Sequence, residues 1–339
     1  MSGFVDSYYD YNSNLPGSNA NAYRSFDSTS NTPALNLMEL NFDKIPDAAK
    51  SRTGYHISLG YGHADDVINA SATEDAGVDR WLKEGYLTYL APVGKGLVID
   101  AGKFVTPDGA EVIETKDNWN YSRGLLFSYA IPYFHSGVRA KYTFNDKYTV
   151  TGFLVNGWNN LVYNVGGKPL TPGVSFGWSP TKKLGFVQNF MIDQEQPANN
   201  SWRQLWDTVV TYNYNSKLSF MANYDYGRGD RVTAFSQPVY WTGIAGYVKY
   251  AFAGKYAVAT RYEYFNDHDG FTTGTPQELS EVTGTFERTF NTHVLTRIEF
   301  RRDISNQAVF PLENGPLVFN QNTATAGVVL MFNHPLQQR

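Results

Sequence analysis

Four segments set ionisable or polar side chains at every second position. In "THVLTRIEFRRD" (292–303), Arg297, Glu299 and Arg301 alternate with Ile298 and Phe300. "KYAVATRYEYF" does the same with Arg261 and Glu263, "EVTGTFER" with Glu281 and Glu287, and "GVRAKYTF" with Arg139 and Lys141. Guanidinium, ammonium and carboxylate groups in such rows can pair with one another or present fixed charge to passing ions. Ionised groups are almost never buried unless paired, so a wet or charge-paired surface must lie on that side. Covalent catalysis finds no comparable arrangement. The six histidines, His56, His63, His135, His268, His293 and His334, are scattered without metal-ligand spacing. There is no cysteine to act as a nucleophile or thiolate ligand, and neither a nucleophile elbow nor a phosphate loop is present. "NDHDG" (266–270) has closely spaced oxygen ligands but lacks the further acidic positions of a calcium loop, and an external turn is the expectation there. No enzyme activity, metal or cofactor is expected.

The elements that carry these rows are strands, because the other parity is apolar. Tyr55, Ile57, Leu59 and Tyr61 share one face of "GYHISLGYG", and Tyr256, Val258, Tyr262 and Tyr264 share one face of the segment containing Arg261. Sixteen such segments follow one another, the first near 3–11 and the last near 323–332. The 24 Tyr, 22 Phe and 30 Gly agree with an all-β chain. Connectors after even-numbered strands are short, as in "PVGKG", "NDK", "SPTKK" and "AGK"; those after odd-numbered strands are long. A soluble β-sandwich also alternates but has no reason to gather its long loops at one end. The rhythm therefore predicts a transmembrane, antiparallel, up-and-down β-barrel of 16 strands, with short periplasmic turns and long external loops. Residues 1–339 form one domain on this reading. Nucleic acid is set aside as a partner, since the net charge is -4 and no long basic run occurs. The opening "MSGFVDSYYDYN" lacks the basic region and apolar core of a signal peptide, so an exported protein is expected here as a processed chain carrying an added Met1.

One block, "GKFVTPDGAEVIETKDNWNYSRGLLFSYAIPYFHSGVRAKYTF" (102–144), carries more than rhythm. Together with "SGFVDSYYDYN", "NGWNN" (156–160), "RYEYFNDHDGFTTG" (261–274) and "RIEFRRDISN", in that order along nearly the whole chain, it resembles the OmpL-like bacterial outer-membrane porin family. The resemblance implies an outer-membrane barrel that acts as a channel. It carries over no residue-by-residue functional set.

A barrel of ~16 to 18 strands is wide enough to hold water, so strand number leads to function. The expected activity is passive diffusion of ions and small hydrophilic solutes. The connector 105–131 is the candidate constriction loop, with acids Asp108, Glu111, Glu114 and Asp117 facing a basic wall of Arg139, Lys141, Arg261, Arg297 and Arg301. Glu263, Glu281, Glu287 and Glu299 are the expected lumen acids. The alternative for these charges is pairing between neighbouring strands, which would brace the wall. Trp119 and Trp158, with Trp202 and Trp206, could stack on sugars in an oligosaccharide-preferring channel, or belong to the interfacial girdles. A barrel plugged by its loops, serving as a receptor, adhesin or structural anchor, is the second functional expectation. Outer-membrane lipid is the surrounding partner. A homotrimer and a monomer are both open, the former suggested by small residues in "GVSFGW" and "TATAGVVLMF".

Overall fold

The computed structural model describes residues 1–70, 79–162, 170–194, 202–230 and 237–333. Sixteen antiparallel strands close into one barrel. The first eight are β1 (Ser2–Asn12), β2 (Pro33–Lys44), β3 (Thr53–Tyr61), β4 (Leu82–Ala91), β5 (Leu97–Val105), β6 (Phe134–Asn145), β7 (Tyr148–Val155) and β8 (Thr171–Trp178). Then follow β9 (Leu184–Asp193), β10 (Arg203–Asn213), β11 (Leu218–Gly229), β12 (Val239–Phe252), β13 (Tyr256–Asp267), β14 (Gln277–Phe290) and β15 (Val294–Ser305). A small hairpin of β16 (Phe310–Pro311) and β17 (Leu317–Val318) precedes the last barrel strand, β18 (Asn320–Asn333). Each barrel strand pairs with its neighbour in the chain, and β1 closes on β18, Ser2 opposite Asn333 and Asn12 opposite Thr323. Closure leaves no unpaired edge, the condition for a sheet in hydrocarbon.

Strand number, order and face agree with the alternation. Ile298 and Phe300 are 65% and 53% exposed on the outer wall, whereas Arg297, Glu299 and Arg301 are buried inside it. Aromatic rings gather at both outer rims, as membrane interfaces favour. At the short-turn rim, Tyr250, Phe252, Tyr256 and Phe286 form a stacked run with successive centroid distances of 6.1, 5.6 and 5.8 Å. At the long-loop rim, Phe190 meets Trp206 at 4.4 Å and Tyr61 stacks on Trp81 at 5.0 Å. Trp206 thus faces outward as a rim residue, and Trp202 is partly exposed at the foot of β10.

The long connectors hold structure that alternation could not reveal. Residues 13–32 (L1), the described residues 62–70 and 79–81 of the second long connector (L2), and residues 106–133 (L3) turn toward the barrel axis. L2 carries α1 (His63–Ala70), whose Asp65 and Asp66 sit in the first turn, where carboxylates favour the helix dipole. L3 carries α2 (Leu125–Tyr129). Phe26 of L1 packs on Phe127 and Tyr133 at 5.5 and 5.2 Å, and Leu37, Ala64 and Ile68 are completely buried beside them. The long-loop half of the lumen therefore contains an apolar core. Wall glycines make room for it: a Cβ on Gly327 would lie 2.3 Å from the Tyr121 ring, and one on Gly227 1.8 Å from Trp241.

Candidate functional site: a loop clamped across the lumen

L3 leaves β5 and crosses to the far wall, where β13, β14 and β15 hold it. Arg261 Nη1 donates to Glu111 Oε1 at 2.6 Å and to the Ser122 carbonyl at 2.7 Å, while its Nε donates to Glu281 at 2.7 Å. Arg297 donates to the carbonyls of Thr115, Asn118 and Asn120 at 2.5, 2.5 and 3.0 Å, and to Glu287 at 2.7 Å. Arg301 donates to the Arg123 carbonyl at 2.6 Å and to Asp303 at 2.7 Å. The carboxylates work in the opposite sense. Glu299 accepts from the Tyr121 and Ser122 amides at 2.5 and 3.0 Å, and Glu263 accepts from the Leu125 amide. A guanidinium has five donors in a fixed fork, which is why one arginine can bind a wall carboxylate and several loop carbonyls together.

The remaining expected residues fall into separate places. Glu114 pairs with Lys83, which also binds Glu39 at 2.5 Å. Asp117 is exposed beside Lys116 in a cavity of about 520 Å³ at the short-turn end, which Trp119, Lys249 and Glu287 also line. Arg139 and Lys141 lie elsewhere, in a second short-turn cavity of about 690 Å³. Arg139 donates to Asp100 at 2.8 Å and lies over Phe104 at 4.4 Å, and Lys141 is exposed. The structure brings Arg261, Arg297 and Arg301 together, and keeps Arg139 and Lys141 apart from them. Charge pairing between strands and contact with L3 coexist: Arg297 meets Glu287 on its paired strand as well as the loop.

Asp108 has different company. It faces Asp207 of β10 and Asp225 of β11, register partners on adjacent strands. All three are buried. Asn189 and Asn223 donate to Asp207 at 2.7 and 2.8 Å, and no basic side chain is hydrogen-bonded to the trio among the described residues. Burial, then the negative charge of Asp207, pushes the Asp108 carboxyl up to about 8. L3 meets this wall through neutral bonds, Asn189 Nδ2 donating to the Pro107 carbonyl and the Ala110 amide to Asn223, both 3.0 Å. Inward parity alone could have placed Asp207 and Asp225 on the lumen wall. Their meeting with Asp108 depends on the path of L3.

On the long-loop side, a cavity of about 550 Å³ is lined by Tyr129, Ile131, Tyr133, Trp158, Arg203 and Trp241 among others. Arg203 lies 4.1 Å over Trp158, which meets Trp241 edge-on at 6.2 Å. Trp119 is half-buried, edge-on to Tyr247 at 6.4 Å. The two tryptophans thus lie on different sides of L3. In "NDHDG", Asp267 accepts from the amides of Phe271, Thr272 and Thr273 at 2.9, 3.0 and 2.7 Å, so its carboxylate closes a turn. Among the described residues no group of three His, Asp or Glu is arranged to hold a metal ion; His334 lies outside them.

A family model described as "Putative beta-barrel porin-2, OmpL-like" matches residues 1–332. The chain belongs to this family of outer-membrane porins. Solved structures agree on the fold at very low sequence identity. An anion-selective porin from Comamonas acidovorans matches with a TM-score of 0.68 at 7% identity, covering 98% of both chains. OmpT of Vibrio cholerae gives 0.63 at 10% identity, over 98% of this chain and 96% of that one. The outer-membrane channel DcaP of Acinetobacter baumannii gives 0.61 at 9% identity with the same coverage. No curated protein matches the sequence. The long-loop end of this porin is therefore external and the short-turn end periplasmic, as in barrels of this class.

Proposed function

We propose that this porin conducts ions and small hydrophilic solutes by passive diffusion, with L3 as the element that restricts flow. The observation that carries the reading is the position of L3 between the aromatic-lined cavity at the external end and the two charge-lined cavities at the periplasmic end. A solute leaving the external cavity must pass the loop, and the groups it meets are carboxylates and amides on one wall and paired arginines on the other. Fixed charges in a narrow, low-dielectric passage select by charge and orient dipolar solutes. The arginines act indirectly here: by fixing L3 they set the bore. Exposed charges at the periplasmic end, among them Lys141, Asp117 and Asp43, are open to a passing ion. Trp158 beside Arg203 suits a solute with a ring, and an oligosaccharide is the subsidiary reading.

A second reading is favoured by the burial of Asp6, Asp207, Asp225, Arg261, Glu299 and Arg301 around the inner wall. A lumen packed on all these sides suits a plugged barrel that serves as a receptor, adhesin or anchor. Planar-bilayer recording of the refolded protein separates the two. Stable ohmic steps support the porin, with selectivity given by the reversal potential in a salt gradient. Silence from a folded, inserted barrel would replace it with the plug.

For assembly, a homotrimer is the working proposal. One solved neighbour, OmpT of Vibrio cholerae, is described in a trimer form. Small residues support it only in part: Gly173, Ser175 and Gly177 of β8 share the inward parity of buried Thr171, while Ala324 and Ala326 of β18 face outward.

A further inference from the structure

Six of the seven short turns carry a lysine, and only Asp47 and Asp146 offset them. At one point this basic rim meets a charge on the outer wall. On β14, Phe286, Arg288 and Phe290 share the parity of Val282, which is 48% exposed, so Arg288 faces lipid while Glu287 faces the lumen. Arg288 pairs in register with Tyr256 of β13, and its guanidinium lies 5.6 Å from the centre of that ring and 3.9 Å from that of Phe290. Lys255, in the turn before β13, places its ammonium 5.6 Å from the same Tyr256 ring, and its carbonyl accepts from the Thr289 amide at 2.8 Å. Two cations thus flank one outward-facing phenol; Nε of Arg288, itself buried, has no hydrogen-bond partner among the described residues.

We propose that Lys255 and Arg288, framed by Tyr256 and Phe290, bind the phosphate of an anionic phospholipid in the periplasmic leaflet. A guanidinium on a lipid-facing position is tolerated where its stem lies along apolar surface and its head reaches the headgroup layer. The stacked run Phe252, Tyr256, Phe286 marks that layer on this part of the wall. A planar donor fork and a neighbouring point charge match a phosphate diester, and the exposed Val258, Phe286 and Ile298 give an acyl chain an apolar wall. The inward parity of Glu287 separates this pair from the lumen, so a permeating solute does not meet it. The site rests on the orientation of the barrel and not on whether the pore conducts.

The test uses the refolded full-length barrel in neutral detergent, with lipid adducts read by native mass spectrometry. Phosphatidylglycerol should be retained in preference to phosphatidylcholine. The double variant K255Q/R288Q, checked for folding by its sheet circular dichroism, should weaken that retention by roughly fivefold for each charge removed. Lys147→Gln, on a turn elsewhere on the rim, should leave it unchanged. Equal retention of the two lipids, undiminished binding in the double variant, or an equal loss in Lys147→Gln would each overturn the site. Displacement of the lipid by millimolar inorganic phosphate would also overturn it, in favour of a general anion site. Selective capture by sedimented peptidoglycan, with no lipid preference, would move the partner to the cell wall.

Discussion

Arg261 shows how little of a charge's role lies in its identity. It is buried with Glu111 and Glu281 as direct partners and Glu263 at 4.0 Å. Removing one partner of such a group leaves the others buried and uncompensated. Arg261→Gln should therefore destabilise the barrel by about 3 to 5 kcal/mol, measured by denaturant unfolding in detergent; a loss below about 1 kcal/mol would mean that water already reaches the site. Asp108 is the opposite case, a carboxyl without a cation. Its folded value is raised above the unfolded one near ~3.9, so the folded state holds a proton the unfolded state has released. Its contribution is complete below about pH 4 and falls as the pH rises toward about 8, the value to which burial and Asp207 push it. Asp108→Asn should flatten that loss between pH 4 and 8 in thermal unfolding, and an unchanged slope would overturn the assignment of the pH dependence to Asp108.

At the scale of the element, strands and their faces were legible because period-two alternation is a local property. Arg297, Glu299 and Arg301 could be put inside the barrel from parity alone, with Ile298 and Phe300 outside. Their acceptors could not. Arg297 binds carbonyls of residues 177 to 182 positions away, and no spacing rule reaches that far. The α1 helix and the β16–β17 hairpin were hidden for a related reason, being short elements shaped by their seats in or above the barrel. The sequence did mark 105–131 as the connector to watch, through its density of acids and amides. The wall glycines explain how such a loop fits. Gly327→Ala should push the Tyr121 ring off its seat, loosen the bond from its hydroxyl to Asp6 at 2.9 Å, and cost about 1 to 3 kcal/mol as overpacking. Under the porin reading it should also raise single-channel conductance, and a loss of stability without a change in current would show that the tip of L3 does not set the bore.

For the whole molecule, the outer surface and the interior obey different chemistry. Outside, aliphatic and aromatic side chains meet lipid between two aromatic rims; inside, a polar wall encloses an apolar core from three connectors. Replacing residues 108–129 with a short Gly/Ser linker should leave the sixteen-strand sheet intact by circular dichroism and increase conductance several-fold if L3 restricts flow. The cross-lumen clamp also bears on the order in which the protein acquires its structure. L3 precedes its anchorage in the chain by 138 residues at Leu125–Glu263 and by 182 at Thr115–Arg297, and the entropy of closing such long loops delays the contact. The seat on β13, β14 and β15 must exist before the loop can occupy it, so a nascent barrel is expected to pass through a wide-bored stage and to seat L3 afterwards. A protease pulse during refolding should cut within 108–125 after the β1–β18 seam has become resistant, which, under the porin reading, would make the last event of folding the one that sets what the finished barrel admits.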